Sequence, residues 1–237
     1  MLTKTEGIVL KSIKYSETSI ICKIFTREYG VHSFIIPGVR GSKNKTKGNL
    51  FQPLQILELD IYYHPEKSLL KIKEYRPALI YRHLYSDIVK QSVALFAIEI
   101  LAKCIQEHEI NAPIYDYNRN YLIRTDEITK IEPTTPQHFL LQMCSLMGIK
   151  PDSQCLIEEK PYFNIEMGIF EASISPVHKI LEKQDSLVLY RFLIAHHESF
   201  SKKERQTLLR ILLNYLQFHI PNFKQVHSLA IIQQIFA

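Results

Sequence analysis

Between Gly30 and Leu50 the chain reads GVHSFIIPGVRGSKNKTKGNL, and Arg40, Lys43, Lys45 and Lys47 stand there without a single acid among them. Cations on a segment of small polar residues have one chemistry open to them, the neutralisation of anionic oxygens such as phosphates. Four of the chain's seven glycines share this stretch. Val31 to Ile36 is short, β-branched and aromatic, so it reads as a strand that Pro37 and Gly38 end. Gly38 to Asn49 then carries too little apolar surface to repay ordering, which predicts a mobile basic loop between strands. The plain alternative is a solvated connection with no ligand. The distribution of charge weighs against it. Met1 to Arg82 holds fourteen basic and seven acidic residues, a surplus of seven, in a chain whose total is +5, so the remainder is negative by two. A positive charge confined to one end fits a polyanionic partner, nucleic acid first. Lys11, Lys14, Lys23, Arg27, Lys71 and Lys73 extend the candidate DNA surface beyond the loop.

Other chemistry finds less support. His196 and His197 are adjacent, and neighbours on a helix point about 100° apart, so the two do not readily share a metal even with His178 or His138 nearby in composition. No His-Glu-x-x-His spacing and no phosphate-binding glycine motif occurs, so neither a metal nor a nucleotide cofactor is expected. Glu58 and Asp60 come nearest to the clustered carboxylates of a metal-dependent nuclease, the alternative reading together with an RNA-binding barrel protein; no catalytic residue is assigned. Cys22, Cys104, Cys144 and Cys155 lie far apart with no paired spacing, which predicts a reduced, cytoplasmic protein. Ser92 to Ile105 is the longest apolar run, broken by Glu99 and Lys103, and Met1 to Gly7 lacks a secretory pattern, so neither membrane span nor signal is expected.

The elements that must position these residues follow from hydrophobic period. Thr5–Lys11, Ser19–Thr26, Val31–Ile36, Gln55–Tyr63 and Leu69–Tyr75 read as strands, the fourth with Leu57, Leu59, Ile61 and Tyr63 on one face and Glu58, Asp60 and Tyr62 on the other. Five short strands with no helix long enough for a parallel crossover predict a small antiparallel barrel, whose nucleic-acid-binding version is the OB-fold. Of Tyr15, Phe25, Tyr29, Phe34 and Phe51, half or more should be core, leaving one or two to stack on bases. Beyond Arg76-Pro77 the period becomes helical. Asp87 caps a helix running to about His108; Thr135 and Pro136 open Gln137–Met147, which Gly148 ends; Ser186–His197, Lys202–His219 behind the capping box Ser201/Glu204, and Val226–Phe236 follow. Residues 149–180 hold neither period. The expected class is α+β: an OB-fold barrel over 1–80, then a helical domain over 81–237 with an irregular lobe at about 149–180.

TEGIVLKSIKYSET, IFTREYGVHSFIIPGVRGSKNK and LFQPLQILELDIYY together resemble the amino-terminal domain of the bacterial recombination mediator RecO. MGIKPD, PYFNIEMGIFEA and NYLQFHIPNFKQVHSLAIIQQIF extend the resemblance over nearly the whole chain. It implies a protein that binds single- and double-stranded DNA, anneals complementary strands, engages RecR and the C-terminal tail of the single-stranded DNA-binding protein SSB, and so helps place RecA on DNA. For the SSB tail, Arg191, Lys202, Lys203, Arg205 and Arg210 are the candidate cations beside apolar helices. Many members carry two cysteine pairs that bind structural zinc in the irregular lobe. Here only Cys155 stands in that lobe, so zinc would lack its ligands. Tyr162, Phe163, Ile165, Ile169 and Phe170 are expected to anchor the lobe instead.

Overall fold

The computed structural model describes residues 1–39, 48–174, 177–194 and 199–236. They form two compact units, Met1–Ile131 and Glu132–Ala237. In the first, strands β1 (Leu2–Lys14), β2 (Ile20–Thr26), β3 (Gly30–Ile36), β4 (Ile56–Tyr62) and β5 (Leu69–Pro77) close into a barrel of order β1-β2-β3-β5-β4. All pairings are antiparallel except β3 with β5. The barrel closes because β1 is thirteen residues long and serves two neighbours. Its first half pairs with β4 from Leu2↔Tyr62 to Ile8↔Ile56, and its second half pairs with β2 as far as Lys14↔Ile20. A bulge between Val9 and Lys11 supplies the bend between the halves. Alternation then sorts the side chains: Val9, Cys22, Ile24, Phe34, Phe51, Leu57, Leu59, Ile61 and Leu70 fill the interior.

Helix α1 (Ile88–Cys104) starts where Asp87 accepts from the N–H groups of Val89 and Lys90 at 2.8 and 3.1 Å. The sequence reading carried this helix to about His108. It stops at Cys104 because Ile105 turns extended and the chain docks on β3 beyond the β3–β5 pairing: Glu107 bridges Val31, and the His108 N–H donates to the Val31 carbonyl at 3.1 Å. Gly30 is required there. Its φ is +74°, and a Cβ would lie 2.3 Å from the Glu109 carbonyl oxygen.

Helix α2 (Ala112–Glu127) was not foreseen from the sequence. Its buried face mixes Ile114, Tyr115 and Leu122 with Asn118, Thr125 and Asp126, so the apolar period is weak; Asn111 followed by Pro113 is the start signal, and Asn111 does cap it through Ile114 N–H at 3.1 Å. The helix lies on the barrel through Tyr115, fully buried and edge-on to Phe25 at 5.4 Å between ring centres. Near its end, the Asp126 carboxylate accepts from the backbone N–H groups of Arg82, His83 and Leu84 at 3.0, 2.7 and 2.7 Å. The Lys90 ammonium donates to the Asp126 carbonyl at 2.7 Å. The segment leaving the barrel is thereby tied to the end of α2, and α2 to α1, so the first compact unit runs beyond the barrel itself.

The second unit holds α3 (Thr135–Leu146), a hairpin of β6 (Tyr162–Asn164) and β7 (Ile169–Glu171), α4 (Lys183–Ile194), α5 (Lys202–His219) and α6 (Leu229–Ile235). Thr134, not Thr135, precedes the first turn of α3 and makes no side-chain cap, while Gly148 has the left-handed φ of +73° expected of it. The capping box before α5 is complete. The lobe over 149–180 is less irregular than its sequence. Asn164 organises the hairpin turn, accepting from Glu166 and Met167 N–H and donating to Glu171. Phe163 and Phe170 face each other across the register and pack with Tyr215 and Tyr190. Ile165 is buried with them, but Ile169 is 39% exposed: it sits one residue from Phe170, and alternation turns it outward.

Candidate nucleic-acid interface

Because Cys22, Phe34 and Leu70 point inward, their neighbours along β2, β3 and β5 point out, and the register aligns them in rows around the barrel. Lys11 stands opposite Lys23, which stands opposite Ser33. Lys71 stands opposite Ile35 on β3 and Tyr62 on β4. Lys14 ends β1 just before the polar turn at Tyr15, whose ring is 59% exposed. Phe25, Phe34 and Phe51 are core and Tyr29 stacks on Tyr63 at 4.3 Å, so Tyr15 is the exposed ring among those weighed for base stacking.

The six basic candidates outside the loop divide by partner. Lys11, Lys14 and Lys71 are exposed and form no ion pair among the described residues. Lys73 is exposed with Glu74 at 3.8 Å. Lys23 donates to Glu107 at 2.9 Å, which holds that carboxyl below its usual range. Arg27 makes a two-pronged pair with Asp116 on α2 at 2.8 and 3.0 Å, raising the guanidinium pKa and lowering the carboxyl. Lys23 and Arg27 therefore tie the barrel to the segment after α1 and to α2. Arg40, Lys43, Lys45 and Lys47 lie outside the described residues.

Acids collect elsewhere on the barrel. A groove of about 390 Å³ is lined by Glu6, Glu28, Glu58, Asp60 and Glu74, with Lys4 and Arg76 among them. Glu58, which sequence reading set beside Asp60, is ion-paired to Arg76. Glu6 accepts from Arg119 at 2.6 and 3.2 Å and from the Tyr115 hydroxyl at 3.0 Å. The outer surface of the barrel is thus sorted into a basic side on the second half of β1, β2 and the start of β5 and an acidic side on the first half of β1, β4 and the end of β5.

In the second unit, Arg191 donates to Glu204 at 2.6 Å, Arg205 to the carbonyls of Phe200 and Phe236 at 2.8 and 3.1 Å, and Arg210 to Asp185. Lys202 and Lys203 are exposed in the first turn of α5. A cavity of about 570 Å³ that sequence reading did not single out is lined by Ile165, Lys179, Asn214, Gln217 and Phe218, with the Lys179 ammonium 5.6 Å from the centre of the Phe218 ring. Among the described residues no helix is long and apolar enough to cross a membrane.

Residues 1–81 match the family model described as Recombination protein O N terminal, and residues 85–229 match that described as Recombination protein O C terminal. The chain belongs to the RecO family. It is 30% identical to the DNA repair protein RecO of Phocaeicola vulgatus over 243 residues and 30% identical to that of Flavobacterium psychrophilum over 248, with all of each chain covered. The RecO protein of Flavobacterium johnsoniae is 30% identical over 245 residues, again over both full lengths. The barrel followed by helices is the RecO arrangement, and the family places the chain among DNA repair proteins. The zinc carried by many RecO proteins does not fit the donors here. Cys155 is the one cysteine of the lobe, and among the described residues no group of three or more His, Cys, Asp or Glu side chains could hold a metal ion.

Proposed function

We propose that the chain binds single- and double-stranded DNA on the basic side of the barrel, continued by Arg40, Lys43, Lys45 and Lys47, and anneals complementary strands. With RecR and SSB it then helps RecA onto DNA in the cytoplasm. The observation that carries DNA binding is the sorting of charge on the barrel. Lys11, Lys14 and Lys71 offer cations that form no ion pair among the described residues, and the acidic groove beside them disfavours a polyanion on β4 and the end of β5. Annealing needs no reacting group, since two strands meet once their phosphates are screened and held on one surface.

For the SSB tail, an acidic peptide with an apolar end, Lys202 and Lys203 are the candidate cations left available, because Arg191, Arg205 and Arg210 are engaged within the fold. The Lys179–Phe218 cavity offers a second seat with the same chemistry. The division of labour at about residue 80, barrel for DNA and the rest for protein partners, belongs to this reading.

The test is annealing of complementary strands coated with SSB. The protein is expected to accelerate pairing well above SSB-coated DNA alone, and Lys202→Glu with Lys203→Glu is expected to weaken binding of the SSB tail peptide. No acceleration at any protein concentration would overturn the mediator reading.

A further inference from the structure

The segment that follows the basic stretch is fastened by side chains from elsewhere in the first unit. Phe51 is fully buried and edge-on to Tyr75 at 4.7 Å between ring centres, and its carbonyl accepts from the Ser12 hydroxyl. Leu54, also fully buried, donates its N–H to the Val9 carbonyl at 3.1 Å and holds a φ of +81°. A leucine enters the left-handed region at a cost, so the conformation persists only where the surroundings over-determine it. Two tyrosines from the segment leaving the barrel contribute to that. The Tyr81 hydroxyl donates to the Leu54 carbonyl at 2.8 Å, and the Tyr85 hydroxyl to the Pro53 carbonyl at 3.1 Å. Between the tyrosines lie Arg82, His83 and Leu84, the residues whose N–H groups the Asp126 carboxylate holds, so both hydroxyls are mounted on α2. Burial pushes the Tyr81 phenol well above its usual range, which keeps it a donor across physiological pH.

We infer that Tyr81 and Tyr85 are positioning residues for DNA binding, which anchor the end of the segment carrying Arg40, Lys43, Lys45 and Lys47; the inference rests on the DNA-binding reading above. Three residues separate Lys47 from Phe51. Since a chain spans at most about 3.6 Å per residue, a fixed Phe51, stitched to Ser12 next to Lys11, limits how far those cations stray from the basic side of the barrel. With a loose end the same charges would range over a larger volume, and ordering them would fall to the moment of DNA binding and weaken it. The barrel itself does not depend on the two hydroxyls. Phe51 and Leu54 are core residues, and Val9 already pairs with the Leu54 N–H and with the Gln55 carbonyl at 2.8 Å. What the hydroxyls add is a fixed direction for Pro53 and Leu54, set from α2.

The experiment is a double-mutant cycle read by fluorescence anisotropy on a thymidine oligomer at several salt concentrations. It compares the full chain, Tyr81→Phe with Tyr85→Phe, the loop variant Arg40→Ala, Lys43→Ala, Lys45→Ala and Lys47→Ala combined, and all six changes together. Phenylalanine keeps the rings and removes only the hydroxyls, and thermal melts of the same samples check that each variant is folded. Tyr85→Phe alone, at the more exposed of the two sites, is measured as well, so that the test does not depend on the folding of Tyr81→Phe. The tyrosine pair is expected to lose about fivefold in affinity with the salt slope kept, because the same phosphates are contacted, and to lose under about twofold once the four cations are gone. Tyr85→Phe is expected to show a smaller loss of the same kind. Trypsin is expected to cut after the four cations faster in the tyrosine variant than in the full chain. No loss of affinity, or equal losses with and without the loop cations, would overturn the inference and leave DNA binding in place, because a general distortion of the barrel acts in both backgrounds. A loop variant that binds as tightly as the full chain would overturn it by removing the loop from the DNA surface, with Lys11, Lys14 and Lys71 still holding the strand. A full chain that binds no DNA would overturn the DNA-binding reading, and this inference with it.

Discussion

His32 shows how one side chain makes the docking of the segment after α1 sensitive to pH. It is 2% exposed on β3 with its Nε2 2.8 Å from the Tyr29 carbonyl, which fixes the proton on Nε2 and leaves Nδ1 buried without a partner. Its ring meets His108 at 4.6 Å and Tyr63 at 5.6 Å. Burial is the main cause that holds its pKa below the ordinary histidine value, helped by His108 and opposed by the Tyr29 carbonyl and Glu107. The unfolded chain takes up a proton near the usual value of about 6.5, so below that pH the unfolded state binds more protons than the folded one. Stability from this group is therefore complete above about pH 6.5 and falls as pH drops toward the folded value. Melting temperature measured from pH 7.5 down to 5.5 should decline, and His32→Phe should melt lower at pH 7.5 but decline less. A variant that declines as steeply as wild type would assign the dependence to other groups.

Single pairings of this kind hold the helices to the barrel, and the clearest is the end of α2. Burial works against the charge of Asp126, yet the N–H groups of Arg82, His83 and Leu84 win and hold its carboxyl below the usual range. Asp126→Ala would leave buried donors unsatisfied, and should cost about 2 to 4 kcal/mol in urea denaturation. A loss under about 1 kcal/mol, the size expected of an ordinary surface site, would show that water replaces the carboxylate. None of this was legible in the sequence, because the donors and the acceptor lie more than forty residues apart. Helix α2 itself was missed for a related reason: its buried face alternates Ile114, Tyr115 and Leu122 with the polar Asn118, Thr125 and Asp126, which breaks the aliphatic period. The fourth strand was legible because it alternates, as Leu57, Leu59 and Ile61 do against Glu58 and Asp60, and the third because it is a short β-branched and aromatic run. In the site, alternation placed Lys71 and Lys73 on the outside, but no local pattern could show that Lys23 and Arg27 spend their charge on Glu107 and Asp116.

At the scale of the molecule, a charge surplus that sequence located in the first 82 residues becomes a surface with two sides. In the lobe of the second unit Phe163 packs on Phe170 and Tyr215, and Asn164 fixes the hairpin turn. Melting temperature should therefore be unchanged by a zinc chelator, and elemental analysis should find well under one zinc per chain; a chelator-induced drop would require ligands other than paired cysteines.

The most direct measurement of the central claim is the dependence of DNA affinity on salt for wild type and for Lys11→Ala, Lys14→Ala and Lys71→Ala combined. Each phosphate contact contributes about 0.7 to 0.9 to the slope of log affinity against log salt, so three contacts should remove roughly 2 to 3 units, without regard to DNA sequence. Melting temperature should hardly move, since all three side chains are exposed. A triple variant that keeps both the affinity and the slope of wild type would contradict the account and place DNA elsewhere on the chain.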